Sequence, residues 1–415
     1  MSSPASNLRI DSDRLWSTLT ETAAFGATAK GGLCRLALSE EDAQVRRWFV
    51  AACEAAGCTV RADELGSLYA RREGTDPTLA PIAIGSHLDT QPTGGRFDGI
   101  LGVLAGLELI RTLNDAGLVT RHPIEIVDWT NEEGARFAPA MLASGVFAGA
   151  FDADYARTRT DRDGVSFADA LNAIGFAGPA PARGAPPAAY FELHIEQGPV
   201  LEDAGVEIGV VTGVQGVRWL DVTVSGQACH AGTTPMALRR DPLQGAARLA
   251  AVVDTIGRSE PGVSLSTVGV FEAFPGSRNT VPETVRMTVD LRHPGPGGLD
   301  RLEGALRVNA AAIASDLGLD IDIAEVWTSP PVVFDPACVG AVHQTVARLG
   351  FTHQDIISGA GHDAVYVSRV APAAMIFTPC EGGISHNEAE NMTPAQAAAG
   401  ADVLLHAVLA FDALS

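Results

Sequence analysis

Hydrophobic and polar positions along this 415-residue chain follow two periods, and the order of the periods changes along its length. From Asp13 to Ala24 and from Ser39 to Ala56 the apolar residues recur at helical spacing. The second stretch is opened by Ser39 with Asp42 three residues on, in a capping-box-like arrangement, and is stopped by Gly57. Thr59 to Arg72 alternates around Gly66, which predicts a hairpin whose second arm leads to an apolar strand, Pro81 to Gly85. A helix after Asp98, running to about Asn114, and a strand from Pro123 to Trp129 complete a right-handed crossover in a largely parallel sheet. Ala150 to Ala188, rich in Ala, Gly, Pro and Asp, reads as a surface excursion with one short helix at Ser166 to Ile174, and a strand, Tyr190 to His194, follows.

The pattern then changes. Strands at Val217 to Ser225, Ser264 to Phe271, Thr284 to Arg292 and Leu319 to Val326 alternate with helices at Pro242 to Thr255 and Leu299 to Leu317, giving the βαββαβ order of a ferredoxin-like sandwich. Residues 214–328 therefore read as an α+β domain inserted into an α/β, mostly parallel-sheet domain of residues 1–213 and 329–415, with Pro330-Pro331 suited to a hinge. Beyond it come a helix from Pro336 to Leu349, a strand from Ala373 to Phe377, and a closing helix with Pro394 in its first turn.

Composition narrows the function classes. A net charge of -21 repels phosphate backbones and acidic bilayers, so nucleic acid and membrane partners are not expected. Six scattered cysteines without a Cys-x-x-Cys pair read as reduced thiols of a cytoplasmic protein. Met1 to Asp13 lacks the basic-then-apolar order of a secretory signal, and no run of about 18 apolar residues is apparent.

Candidate chemistry collects where strands end. Gly85-Ser86-His87-Leu88-Asp89-Thr90 puts an imidazole at a strand's carboxyl edge, and Asp98 follows at the mouth of a helix. A neutral imidazole and a carboxylate so placed can converge on a divalent cation, with Asp89 on the other ring nitrogen of His87. A surface turn or a phosphate cradle would use the same residue types, but the loop has neither Lys-Ser/Thr after its glycines nor Gly-x-Gly-x-x-Gly. Glu132 and Glu133 end the next strand; adjacent residues point different ways, so one can bind metal while the other serves as a base. His194 and His386 complete a set of five ligands, His87, Asp98, Glu133, His194 and His386, whose one shared carboxylate suits two divalent ions. His362, in a glycine loop beside these residues, is as suited to orienting a substrate or a ligand as to packing.

These motifs, with Gly94-Gly95-Arg96-Phe97-Asp98-Gly99, Asn131-Glu132-Glu133-Gly134-Ala135-Arg136-Phe137, His194-Ile195-Glu196-Gln197-Gly198-Pro199, Gly361-His362-Asp363-Ala364 and Ser385-His386-Asn387-Glu388, resemble the zinc-dependent amidase, hydantoinase and carbamoylase branch of the co-catalytic metallopeptidase superfamily. The resemblance spans nearly the whole chain. It implies hydrolysis of a carbamoyl or ureido C–N bond by a catalytic α/β domain carrying an inserted lid that also dimerises. His87 and His194 would take one metal, Glu133 and His386 the other, and Asp98 would bridge. Glu132 would be the general base; Gln197, His230, Asn279, Arg292 and Gly361 would bind a carboxylate-bearing ureido substrate, with His230 also steadying the oxyanion. Zinc is the metal implied, although Mn, Co and Ni accept the same ligands. The relatives' cis peptide after the bridging carboxylate is expected at Asp98–Gly99. Asp89-Thr90-Gln91-Pro92-Thr93-Gly94-Gly95 looks most like N-carbamoyl amino acid hydrolases and β-ureidopropionases. Allantoate amidohydrolase, an aminopeptidase or deacylase, and a metal-stabilised binding protein are the other readings.

Overall fold

The computed structural model describes residues 7–414, so Met1–Ser6 and Ser415, including part of the stretch read for a secretory signal, lie outside the described residues. The chain forms two compact units, Met1–Thr212 with Phe334–Ser415, and Gly213–Val333.

The first unit begins with α1 (Ser12–Thr22), α2 (Glu40–Ala55), the antiparallel pair β1 (Thr59–Ala62) and β2 (Leu68–Arg72), then β3 (Ile82–Ser86), α3 (Ile100–Asp115) and β4 (Ile124–Asp128). Three short helices, α4 (Leu142–Phe147), α5 (Ala153–Arg157) and α6 (Phe167–Ile174), precede β5 (Ala189–Ile195), α7 (Val200–Ala204) and β6 (Ile208–Val214). In the second unit are β7 (Gly216–Ser225), β8 (Cys229–His230), α8 (Pro242–Gly257), β9 (Leu265–Phe274), β10 (Thr280–Val281), β11 (Thr284–His293), α9 (Gly298–Leu317), β12 (Asp320–Ser329) and β13 (Val332–Val333). The first unit resumes with α10 (Pro336–Leu349), β14 (His353–Ser358), α11 (Asp363–Val367), β15 (Ala373–Thr378) and α12 (Pro394–Leu414).

The large sheet runs β1-β2-β4-β3-β5-β15-β6-β13, with β14 also on β6. Its centre, β4-β3-β5-β15, is parallel, and these strands are buried along their whole length. A strand buried on both faces reads as an apolar run rather than an alternation, which is why Ile82-Ala83-Ile84 is so uniform. Helix α3 is buried from Ile100 to Ile110 because it lies between this sheet and the helices α1 and α12. Gly102 permits the approach: a Cβ there would sit 2.4 Å from the Leu193 carbonyl oxygen of β5. The first turn of α3 is thereby pressed against the strand ends.

One expectation is corrected here, and one helix needs a physical account. Helix α12 is long and apolar enough to cross a membrane by length and composition. Its apolar residues face the core of this unit, where it packs on β5, β15, α1, α3 and α10, so burial on several sides accounts for them. The segment 150–188 is more than a surface excursion. Phe167, Ala170, Leu171 and Ala182 are buried with Leu38, Leu65 and Phe137 in a separate small core that roofs the β1–β2 hairpin.

Within Gly213–Val333 the four-stranded sheet has the order β12-β7-β11-β9 with all neighbours antiparallel, and α8 and α9 cover one face. Its two ends are themselves neighbours, Val214 pairing with Val332.

Candidate active site

The carboxyl ends of the four central parallel strands deliver the site. His87 follows β3, Glu132 and Glu133 follow β4, His194 lies within the last residues of β5, and His386 stands on the loop after β15. Because β3 lies between β4 and β5, its imidazole faces groups from both neighbours. Asp98 comes in from the mouth of α3.

Asp98 divides its oxygens. Oδ1 lies 3.1 Å from His194 Nε2 and 3.8 Å from His87 Nε2; Oδ2 lies 3.5 Å from His386 Nε2, which is 3.4 Å from Glu133 Oε2. Two donor groups result, His87–Asp98–His194 and Asp98–Glu133–His386, each with its ligand atoms within 4.8 Å of one another. Two donors about 2.0–2.2 Å from one tetrahedral ion stand roughly 3.3 Å apart, so these imidazole and carboxylate sets fit divalent cations. The imidazoles are oriented for it. His87 Nδ1 meets the Asp89 carbonyl and His194 Nδ1 the Ile195 carbonyl, both at 2.9 Å, which puts the ring proton on Nδ1 and leaves Nε2 as the ligand atom.

Burial governs the charges. It lowers His87 to about 4, in keeping with a neutral ligand. Burial pushes His194 the same way, but the hydrogen bond and charge of the nearer Asp98 raise it to about 9; a cation would displace that proton. Burial also raises the Asp98 carboxyl, and His194, His87 and His386 outweigh it, so the net direction is down. Glu132 and Glu133 are held well above the usual carboxylate range, first by burial, then by carboxylate neighbours including Asp363 for Glu132 and Asp98 for Glu133.

Glu132 belongs to neither donor group, yet its Oε2 is 3.5 Å from His87 Nε2. The turn that presents it is fixed by Asp89. Asp89 does hold the other ring nitrogen of His87, through its backbone carbonyl, while its carboxylate, 3.8 Å from that ring, accepts the N–H groups of Glu132 at 3.2 Å and Glu133 at 3.3 Å. The Asp98–Gly99 peptide is trans; cis bonds among the described residues are Ala138–Pro139 and Phe274–Pro275. Gly99 turns the chain by another route, with φ at 68°, and its N–H points at His194 Nε2. Asn131, Gln197 and His386 also hold positive φ, at 61°, 60° and 53°, a conformation that persists in non-glycine residues where the surroundings over-determine it.

Gln197 joins the group, its Nε2 donating to Asp98 Oδ2 at 3.0 Å and Ser385 Oγ at 3.2 Å. Gly361 starts the turn into α11, against Met141. His362 is buried, 3.0 Å from Ser358 Oγ and edge-on to the His194 ring at 4.5 Å; it enters neither donor group. On the second unit, His230 and Asn279 meet through the β8–β10 pair and the Ala231 N–H to Asn279 carbonyl bond. Arg292, on β11, is bound side-on to the Asp290 carboxylate.

Sequence reading passed over several residues that shape the site. Gln91 donates to Glu133 through its N–H and its Nε2, at 3.2 and 2.7 Å. Ser385 Oγ lies 2.8 Å from Asp98 Oδ2. Beneath them, the fully buried Arg46 binds Asp42 and Asp128, and Asp128 in turn accepts the Leu88 N–H. The available signal was Asp42 and Arg46 four residues apart on the apolar side of α2.

The profile of the peptidase family M20/M25/M40 matches residues 83–410. An N-carbamoyl-L-amino-acid amidohydrolase of Rhizobium meliloti is 47% identical over 409 residues, covering 99% of this chain and 98% of that protein. A ureidoglycolate hydrolase of Arabidopsis thaliana is 32% identical over 411 residues, 96% of this chain and 86% of that one. Among solved structures, an amidase of the hydantoinase/carbamoylase family from Burkholderia multivorans superposes with a TM-score of 0.93 at 52% identity, covering 97% of this chain and 98% of that chain. The chain belongs to the metal-dependent peptidase family M20/M25/M40, in its hydantoinase/carbamoylase amidase branch.

Proposed function

We propose that this protein hydrolyses the carbamoyl C–N bond of N-carbamoyl amino acids, L-α-amino acids or β-alanine, giving the amino acid, carbon dioxide and ammonia. The observation that carries the reading is Glu132, a buried carboxylate outside both donor groups and beside the first of them. His87, Asp98 and His194 would hold one divalent ion and Asp98, Glu133 and His386 a second, zinc foremost. Divalent cations there supply an acidified water and a polarised carbonyl.

Glu132 takes the proton of the attacking water on its carboxylate and returns it to the departing nitrogen. Burial first, and then the carboxylates around it, favour its protonated form, which carries that proton. His230 Nδ1 accepts the N–H groups of Gly232 and Thr233, so the neutral ring keeps its proton on Nε2, the donor a developing oxyanion requires. Arg292 spends Nε and one terminal nitrogen on Asp290, an orientation that fixes the guanidinium for a substrate carboxylate. Gln197, Asn279 and Gly361 complete the substrate contacts. The residues Gly213–Val333 serve as lid and as the interface of a homodimer, with His230, Asn279 and Arg292 reaching the partner's site, so that each active site is a composite of two subunits. Six free thiols suit a cytoplasmic protein.

The Arabidopsis relative favours a second reading, a ureido acid such as ureidoglycolate, and allantoate is tested beside it. Ammonia release separates the two, measured with zinc added back after chelation on N-carbamoyl-L-α-amino acids, N-carbamoyl-β-alanine, allantoate and ureidoglycolate. The proposal expects the highest kcat/KM on an N-carbamoyl amino acid. Turnover confined to allantoate or ureidoglycolate would replace it with the second reading.

A further inference from the structure

Two residues beyond the last motif read from the sequence stands a carboxylate that reaches back to the mouth of α3. Glu390 is 1% exposed. Its Oε1 accepts the backbone N–H groups of Phe97 at 2.9 Å and Asp98 at 3.1 Å, and its Oε2 lies 3.2 Å from Ser385 Oγ. Ser385 precedes His386, and its hydroxyl also reaches Asp98 Oδ2. One buried carboxylate therefore ties the shared Asp98 to the loop that carries the exposed ligand. No Lys or Arg pairs with it among the described residues, so N–H and O–H donors alone hold it. Its seat is shaped by Gly95, where a Cβ would fall 1.9 Å from Glu390 Cδ.

The donor groups differ in how firmly they are built. His87 and His194 are 1% exposed and anchored by carbonyls beside them in sequence. His386 is half exposed, on a loop at positive φ. We infer that Glu390 is a positioning residue for the Asp98–Glu133–His386 half of the centre, holding the His386 loop in register with Asp98. The inference rests on the reading of the five residues as a metal centre.

Calorimetric titration of Zn2+ into the chelator-stripped full-length protein tests it, with the thermal midpoint of each apo-form measured alongside. The wild-type chain should take two equivalents. Glu390→Ala should keep the first and weaken the second by about 10- to 100-fold, the usual effect of removing a group that orients a ligand. Glu390→Gln should stay within about threefold of wild type, since the amide oxygen still accepts both N–H groups and the amide NH2 can donate to Ser385 Oγ. Gly95→Ala, which displaces the carboxylate without removing it, should reproduce the Glu390→Ala loss. A tight second equivalent in folded Glu390→Ala or Gly95→Ala would overturn the inference. So would Glu390→Gln as weak as Glu390→Ala, because charge rather than hydrogen-bond geometry would then be at work. A wild-type chain that binds no Zn2+ would overturn the metal reading itself.

Discussion

Replacing Arg46 with Met removes the cation that pairs directly with two buried carboxylates, Asp42 and Asp128. Its Nε bonds Asp42 Oδ2 at 2.9 Å, one terminal nitrogen lies 3.3 Å from Asp128 Oδ2 and 2.8 Å from the Gly66 carbonyl, and the other bonds Thr130 Oγ1; all three charged side chains are fully buried. Asp42 Oδ1 and Asp128 Oδ2 accept no hydrogen bond from any described residue, so Arg46 neutralises Asp128 Oδ2 by charge alone. Breaking such a pair costs about 3–5 kcal/mol, because the remaining charges stay buried without their partner. That is a large share of a typical stability of about 5–15 kcal/mol. The loss should also depend on pH in a defined direction. Burial already raises the Asp128 carboxyl to about 6 with Arg46 opposing it, against about 3.9 in an unfolded chain. Without Arg46 the native value rises further, so the native variant binds a proton that the unfolded chain does not. Its stability therefore recovers as pH falls through that raised value, each unit being worth about 1.4 kcal/mol. Urea titration read by hydrogen exchange in α2 and β4 isolates this unit from the other. The destabilisation relative to wild type should be about 3–5 kcal/mol at pH 8 and clearly smaller at pH 5.5. A loss below about 1 kcal/mol, or one that does not shrink on acidification, would refute the argument.

Three further outcomes are expected. Glu132→Gln should bind metal normally yet lose about 10²- to 10⁴-fold in ammonia release, since a carboxamide cannot take the water's proton; near-normal turnover would remove Glu132 from that role. Chelation should abolish turnover while far-UV circular dichroism stays native, because a core of this size is built without the ligands, and global unfolding would count against this. Mixing Arg292→Ala with Glu132→Gln subunits should restore about a quarter of wild-type activity, as half the dimers then carry one intact composite site. Silent heterodimers of proven composition would place Arg292 in its own subunit's site.

Much of this organisation was legible in sequence because the local pattern and the tertiary role coincide. An apolar run ending in His-x-Asp reads as a buried strand with its polar residues past the end, and β3 is that. Where they part, reading fails for identifiable reasons. Helix α12 is apolar beyond one face because other elements surround it, a fact held by those elements and not by the helix. Phe167 and Leu171 look stranded among Gly, Pro and Asp until Leu65 and Phe137 arrive from distant segments. Strands β6 and β14 carry too little alternation to stand out. Asp89 shows the limit within a motif. Its place two residues from His87 gave it as the partner of the ring, but not which atom: the turn brings the carbonyl there and sends the carboxylate to Glu132 and Glu133. Glu390 is invisible by the same logic, since its partners are backbone N–H groups almost three hundred positions away.

The place where the first unit is interrupted has a practical meaning. Thr212 and Phe334, the last and first residues of that unit on either side of the insertion, are joined by a 3.0 Å hydrogen bond from the Phe334 N–H to the Thr212 carbonyl, and the next residues inward pair as well. The excision point is therefore already a hairpin stem. A two-residue Asn-Gly turn could close it without stretching the sheet. The same stem makes Gly213–Val333 a cassette, removable or exchangeable at two neighbouring residues while the strand ends that carry His87, Glu132 and His194 keep their sequence.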